Sequence, residues 1–276
     1  MKTSYPLREC LGRIAAEIAE AAQRPRREAE LMLMEHLGCD QLWLITHPDA
    51  PVECDGRLQS WIRRRKAYEP LEYIFNKVSF YSQTFFVEPG ALIPRPETEL
   101  LIDRVLEQVP ADSEMTLCEA GVGSGAVSVV LAQRLPGAKI IGVDISEPAL
   151  RVARKNIDAF GLSERIELRH SDLLEAVREP LDVLVSNPPY VARDAPLEPP
   201  LDYEPDLALF GGVKGMDVIE RLIGTVEQKC IPLFVCEMGY DQREAVKRRV
   251  DGTAFDLEFY KDLAGLDRGF IMRYKG

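Results

Sequence analysis

Four consecutive residues, Asn187-Pro188-Pro189-Tyr190, have the composition of a site for a conjugated nitrogen. An amide or arylamine nitrogen is a poor nucleophile because its lone pair is delocalised. An enzyme that alkylates it must orient the group and favour a transition state in which conjugation is reduced. Two acceptors aimed at the two N–H bonds achieve this, and the motif supplies them as the Asn187 side-chain oxygen and the Pro188 carbonyl. Proline fixes φ and keeps that carbonyl aimed, Pro189 extends the rigid stretch, and the Tyr190 ring is suited to pack on a planar group. The plain alternative is a rigid turn leaving a strand.

A second set of residues suits a small organic ligand. The run Glu119-Ala120-Gly121-Val122-Gly123-Ser124-Gly125 has glycines spaced for a tight turn and close ligand approach. The spacing is G-x-G-x-G, not the G-x-G-x-x-G that offers a helix N-terminus to a pyrophosphate, and no phosphate-binding G-x-x-x-x-G-K-[ST] loop occurs. A ligand without phosphates fits better. Asp144 lies 23 residues after Gly121, near the offset of about 20 at which an acid takes ribose hydroxyls. Asp172 is placed to receive an adenine amino group. Their plain alternatives are a helix cap before Ser146-Glu147 and a turn residue. Glu119 sets an acid where S-adenosylmethionine carries an ammonium and NAD carries none. The expected cofactor is therefore S-adenosylmethionine, held by Glu119, Ala120, Gly121, Val122, Gly123, Asp144, Asp172, Leu173 and Asn187. Methyl transfer is an in-line displacement from a sulfonium, so positioning supplies most of the catalysis and no metal or covalent nucleophile is required.

The elements that must position these residues are legible in the alternation of apolar runs. From residue 115 the chain reads strand 115–120, helix 124–135, strand 139–144, helix 147–160, strand 165–170 and strand 181–187. Apolar strands alternating with amphipathic helices specify a mostly parallel, doubly wound sheet. Three further strands at 231–237, 253–260 and 269–274 complete seven, the last two joined too tightly for a parallel crossover. Seven strands ending in an antiparallel hairpin are the architecture of class I S-adenosylmethionine-dependent methyltransferases. The glycine loop then follows the first strand and Asn187 the fourth, beside it at the switch point where ligands bind in open α/β sheets.

Upstream, Leu7, Leu11, Ile14, Ile18 and Ala22 share one helical face. Further helices are predicted from Pro25 to Gly38, over 40–46 after an Asp40 cap, and over 55–68. This is a small helical bundle, and its run Arg63-Arg64-Arg65-Lys66 reads as a solvated face, with contact to an acidic partner or RNA as the alternative. Residues 78–88 read as a β-hairpin turning at Ser82-Gln83, and a helix begins near Pro96. The expected division is a helical domain over 1–77, a linking hairpin over 78–95 and a methyltransferase domain over 96–276. The stretch 191–214 is long for a connection and reads as a substrate lid, with Leu207, Leu209 and Phe210 seeking burial.

Composition narrows the function further. The hydrophobic and charged fractions, 46% and 29%, are those of a globular protein, and apolar runs are too short to span a membrane. The N-terminus MKTSYPLREC lacks the continuous apolar core of a secretory signal, so a cytoplasmic location is expected; the chain is separately expected to be a monomer. The six cysteines form no C-x-x-C pair, and His36, His47 and His170 are not at zinc-finger spacing, so no metal site is expected. Residues 1–78 hold 12 basic and 12 acidic groups, leaving 22 basic against 33 acidic in the remainder. A duplex-binding enzyme needs a basic footprint, and the catalytic part has none, so sequence-specific nucleic-acid binding is not expected.

Further segments carry a family likeness across nearly the whole chain. They are Glu69-Pro70 through Tyr73-Ile74, Pro89-Gly90-Ala91-Leu92-Ile93-Pro94-Arg95-Pro96-Glu97-Thr98-Glu99, Ser186 to Tyr190, Tyr203-Glu204-Pro205 with Ala208-Leu209 and Gly211-Gly212, and Lys261 to Arg268. With them the sequence resembles the release-factor glutamine methyltransferases, the HemK family. The resemblance implies N(5)-methylation of the glutamine in the Gly-Gly-Gln motif of class I peptide chain release factors, with the helical domain helping to hold the factor. Two positions depart from the family pattern: Glu119 stands where aspartate is usual, and Lys214 replaces an aspartate before Gly215. Competing readings are a ribosomal-protein glutamine methyltransferase and an adenine-N6 DNA methyltransferase. The segments 89–99 and 261–268 favour release factors over the first, and the missing basic region disfavours the second.

Overall fold

A computed structural model describes residues 4–276, which form two compact units. The first takes the chain up to Asn76 together with Glu198–Tyr203, and the second takes Lys77–Leu197 and Glu204–Gly276.

The first unit runs β1 (Ser4–Pro6), α1 (Leu7–Glu17), α2 (Pro25–Leu37), α3 (Gln41–Thr46), β2 (Pro51–Glu53), α4 (Gly56–Lys66) and α5 (Leu71–Phe75). Its core gathers Leu7, Leu11, Ile14 and Ile18 from α1 and the turn that follows it against Met32, Leu33, Leu58 and Ile62. Local sequence sets the helix ends. Pro25 opens α2 and Gly38 closes it at φ +66°, while Asp40 and Asp55 cap α3 and α4 by accepting from Trp43 N at 2.7 Å and Leu58 N at 2.9 Å. The antiparallel pair β1–β2 and the five-residue α5 are additions to the sequence-based description, too short to show periodicity.

The basic run on α4 is a correction. Arg64 forks onto Glu69 at 2.7 and 2.6 Å and also donates to the Tyr73 carbonyl. Arg65 is 5% exposed and donates to Glu28 at 2.6 Å and to the Ala21 carbonyl at 2.6 Å. Two of the four cations are thus internal ties, not a solvated face. The segment Glu198–Tyr203 joins this unit through Gln23 to Glu198 at 3.3 Å and the Tyr203 hydroxyl to the Ala67 carbonyl.

The second unit opens with a hairpin, β3 (Lys77–Phe80) and β4 (Gln83–Phe86). Its turn is Tyr81-Ser82, one residue earlier than expected, with both φ values positive at 51° and 60°. Tyr81 tolerates this because Glu99 accepts from its N–H at 2.7 Å and Asp103 from its hydroxyl at 2.8 Å. A 3₁₀ turn at Pro96–Thr98 leads into α6 (Glu99–Gln108). Then follow β5 (Met115–Ala120), α7 (Ala126–Arg134), β6 (Ala138–Asp144), α8 (Glu147–Ala159), β7 (Ile166–His170), β8 (Val183–Ser186), α9 (Asp206–Leu209) and α10 (Asp217–Lys229). The chain ends with β9 (Leu233–Glu237), α11 (Arg243–Val250), β10 (Phe255–Lys261) and β11 (Asp267–Tyr274).

Seven strands lie in the order β10-β11-β9-β8-β5-β6-β7, with only β11 antiparallel to its neighbours. This is the doubly wound sheet with a terminal hairpin that the sequence predicts. Alternate strand residues feed two apolar layers. Leu117, Ile140, Val183 and Val235 pack under α6, α7 and α8, whereas Cys118, Ile141, Leu184 and Phe234 pack under α10 and α11. Connections diverge between β5 and β8, whose ends Ala120 and Ser186 are paired and tied by Ser186 Oγ to the Ala120 carbonyl at 2.7 Å. No helix of the described residues is long and apolar enough to cross a membrane.

Breaking the buried pair tests the α4 correction. Glu28→Ala leaves Arg65 an unpaired buried cation, expected to cost about 3 to 5 kcal/mol. Both tryptophans, Trp43 and Trp61, lie in the first unit, so denaturant unfolding followed by their fluorescence reads it directly. A loss under about 1 kcal/mol would place the pair among weak surface ion pairs instead.

Candidate active site

The carboxyl ends of β5, β6 and β8 frame a cavity of about 260 Å³. Its floor begins at the glycine loop, where Gly121, Gly123 and Gly125 have φ of 76°, 53° and 79°, a left-handed run that side chains resist. Gly121 N and Val122 N both donate to the Val143 carbonyl, at 2.8 and 2.9 Å, which draws the loop against β6. Asp144 completes that tie, accepting from Gly123 N at 2.9 Å and Ser146 N at 2.8 Å. The cap of α8 is Ser146, which accepts from Ala149 N at 3.3 Å, so Asp144 is not spent as a helix cap. Burial raises the Asp144 carboxyl despite these backbone donors.

Of the residues singled out in the sequence, Glu119, Gly121, Val122 and Gly123 line the cavity, as do Asp144, Asp172, Leu173, Asn187 and Pro189. Ala120 and Pro188 are buried beneath the surface, and Tyr190 is half-buried against the apolar layer under α10. Glu119 is 3% exposed and accepts from the Ser128 hydroxyl. Burial, with a smaller contribution from Asp144, pushes its carboxyl up to about 8. Asp172 bonds Arg221 of α10 at 2.8 Å, and Arg221 also borders the cavity. Nothing in the sequence marked Arg221, one basic residue on an amphipathic helix.

Asn187 donates from Nδ2 to Thr98 Oγ1 at 3.0 Å, which leaves Oδ1 as its uncommitted acceptor. Thr98 is 4% exposed and lies near Glu237, the last residue of β9. The Tyr190 hydroxyl also donates to Glu237 Oε1, at 3.1 Å. Glu237 is 2% exposed, and burial pushes its carboxyl up to about 7. Sequence reasoning missed both roles. The available signal was an acid closing the otherwise apolar run Leu233–Cys236.

Backbone after the motif is held from two sides. Gly215, at φ +71°, sits so close to the Tyr190 carbonyl that a side chain there would collide with it. Gln242 Nε2 donates to the carbonyls of Tyr190 at 3.0 Å and Gly215 at 3.1 Å. Over the cavity, Glu204 accepts from Ile93 N at 3.0 Å and pairs with Arg95, locking the loop 90–95 to the segment after 203. Leu209 is buried as expected, but Leu207 is 65% exposed at the cavity rim, because α9 is a single turn that turns only one apolar side inward.

The fold and the composition of this site define a class I S-adenosylmethionine-dependent methyltransferase. Family models match along the chain, the PrmC N-terminal domain over residues 9–75 and the methyltransferase small domain over 96–197. A release factor glutamine methyltransferase of Koribacter versatilis is 40% identical over 260 residues, covering 90% of this chain and 91% of the relative. One of Moorella thermoacetica is 37% identical over 276 residues, covering 96% and 97%. The chain belongs to the release factor glutamine methyltransferase family. Solved structures share the fold: a Pyrococcus furiosus methyltransferase (TM-score 0.53, 17% identity, 71% of this chain and 90% of that one) and the human methyltransferase 10 domain containing protein (TM-score 0.53, 16% identity, 70% and 89%).

The residues present fit the methyl donor. Glu119 has no ion-pair partner among the described residues, so a ligand ammonium would complete it, and the left-handed glycine loop leaves open space beside it. No group of three or more His, Cys, Asp or Glu among the described residues is arranged to hold a metal ion.

A pH dependence follows. Below about 8 the free Glu119 carboxyl is protonated, and a cation binds only its ionised form, so each ligand bound releases a proton. S-adenosylmethionine affinity should rise close to tenfold per unit between about pH 6 and 7, where the ligand ammonium stays charged. Calorimetry in buffers of different ionisation enthalpy should register that proton, and Glu119→Gln should abolish it. An affinity flat over this range would remove Glu119 from the ammonium site.

Proposed function

We propose that this chain methylates the side-chain amide nitrogen of the glutamine in the Gly-Gly-Gln motif of class I peptide chain release factors, giving N(5)-methylglutamine. Family membership supports the substrate class, and one observation supports the chemistry: the commitment of Asn187 Nδ2 to Thr98, which leaves Oδ1 for a donor. S-adenosylmethionine, when bound, supplies an electrophilic methyl group on its sulfonium. Glu119 holds its ammonium, Asp144 its ribose hydroxyls, and Asp172 with Leu173 its adenine. The Asn187 oxygen and the Pro188 carbonyl accept from the two N–H bonds of the glutamine amide. Held so, the nitrogen is free to lose conjugation, and the acceptor pair stabilises the positive charge it develops before one N–H proton is lost. Pro188 and Pro189 keep the loop stiff, so little reorganisation is needed at the moment of transfer. Tyr190, anchored through its hydroxyl, flanks the planar group.

Residues 1–77 form the part that engages the release factor outside the glutamine, 78–95 link it, and 96–276 carry the chemistry. The protein works in the cytoplasm, where its substrate is made.

Asn187→Ala tests the chemistry directly. Removing one of two preorganised acceptors should lower kcat on the order of a hundredfold or more, with S-adenosylmethionine affinity within about twofold, because the amide is the main contact. Steady-state kinetics on an intact release factor, paired with calorimetry, separates the two. A variant with undiminished kcat would show that the amide is held elsewhere.

A further inference from the structure

A Gly-Gly-Gln motif gives an enzyme little to recognise. Its glycines have no side chains, and its one side chain ends in the amide that the reaction modifies. Selection of the right protein must come from surface around the cavity mouth. The chain flanking the glutamine has to lie there, since each extended residue spans at most about 3.6 Å.

That mouth is at the carboxyl edge of the sheet, where the loops leaving β8, β9 and β10 are joined into one rim. Gly211 N donates to the Val191 carbonyl at 2.9 Å and Arg193 N to the Gly212 carbonyl at 3.0 Å, pinning 211–215 to the chain just after the motif. Gln242, in the turn after β9, bonds the carbonyls of both Tyr190 and Gly215. Arg243 pairs with Asp267 at 2.9 Å and Met238 N donates to the Arg268 carbonyl at 2.9 Å, which extends the rim to the β10–β11 tip.

The rim carries large apolar side chains in water. Val213 and Tyr240 are 74% and 62% exposed, Leu263 at the tip is fully exposed, and Leu266 beside it is 42% exposed. Among the described residues, the opposite edge of this sheet leaves only Tyr274 comparably exposed. The tip is not slack chain. Asp262 Oδ1 accepts from Ala264 N and Leu266 N, both at 2.9 Å, its Oδ2 takes Arg268 at 2.8 Å, and Lys261 Nζ reaches the Gly265 carbonyl at 3.0 Å. A loop so bound holds Leu263 in water at a hydrophobic cost that nothing in its own fold recovers. Because the backbone is already ordered, little entropy is lost when a partner covers it.

We propose that Val213, Tyr240, Leu263 and Leu266 form a docking surface for the class I release factor, covered by an apolar patch of the factor that flanks its Gly-Gly-Gln loop. This rests on the reading that the factor's glutamine enters the cavity, and it adds a contact on the catalytic unit to the one assigned to residues 1–77. Continuity with the cavity mouth selects this occupant over a second copy of the chain, which by docking there would close the mouth to substrate.

Side-chain oxidation by hydroxyl radicals, located by mass spectrometry, tests the wild-type protein with and without an unmethylated release factor. The factor should protect Leu263 and Tyr240 several-fold and leave Tyr274 unchanged. Protection that instead grows in the free protein with its own concentration marks a second copy as the occupant and overturns the proposal. Kinetics supply a second measurement. The double variant Val213→Asp with Leu263→Asp should raise KM for the factor about tenfold or more with kcat within about twofold, since neither side chain lines the cavity, and the control Tyr274→Asp should change neither. An unchanged KM in the folded double variant overturns the docking surface, and the oxidation experiment, which needs no substitution, decides the matter if that variant folds poorly. A factor that is methylated without protecting the rim overturns the docking surface alone, whereas a factor left unmethylated overturns the functional reading.

Discussion

A conjugated NH₂ group asks its binding site for two fixed acceptors and no competing donor, and the second unit is arranged around that demand. Two acceptors can be fixed only on backbone that does not move. β8 supplies it, ending at Ser186 where the Oγ bond to Ala120 locks its edge to β5. From there Pro188 and Pro189 restrict the chain, Gln242 fastens the Tyr190 carbonyl, and Gly215 permits the returning strand of chain to press against it. The same register sets the glycine loop opposite, because Ala120 and Ser186 are paired across the switch point. Donor and acceptor therefore meet as a consequence of sheet order, without a separate device to bring them together.

Two buried carboxyls flank this arrangement, and each carries a raised proton affinity for the same cause and a different purpose. Glu119 sits beside open space with Ser128 as its hydroxyl partner, a charge completed by a ligand cation. Glu237 sits away from the cavity lining, where its Oε1 accepts from the Tyr190 hydroxyl. Isolated buried charge is destabilising, so both sites draw on the packing of the two apolar layers that sandwich the sheet.

The central strands β5, β6, β8 and β9 were legible because each is a largely buried apolar run, and β10 and β11 because their short connection allows only a hairpin. Glycine loop, Asp144 and Asn187 were legible because their chemistry is tied to strand ends. What escaped depends on partners distant in sequence. Arg65 reads as solvated until Glu28, 37 residues away, folds against it. Thr98 and Glu237 acquire their partners, Asn187 and Tyr190, only when the turn before α6 and the end of β9 meet the loop after β8. The hairpin turn was misplaced by one residue because side chains from α6, not the local sequence, stabilise Tyr81 at positive φ. Leu207 was expected inside by its type alone, yet a one-turn helix has room for a single inward side.

The central claim concerns which nitrogen receives the methyl group. Tandem mass spectrometry of a class I release factor, after incubation with this protein and isotopically labelled S-adenosylmethionine, locates it directly. One labelled methyl on the side-chain nitrogen of the Gly-Gly-Gln glutamine, absent when that glutamine is replaced by alanine, is the expected result. Label on any other residue of the factor, or on adenine of added DNA with the glutamine left unmodified, would contradict it.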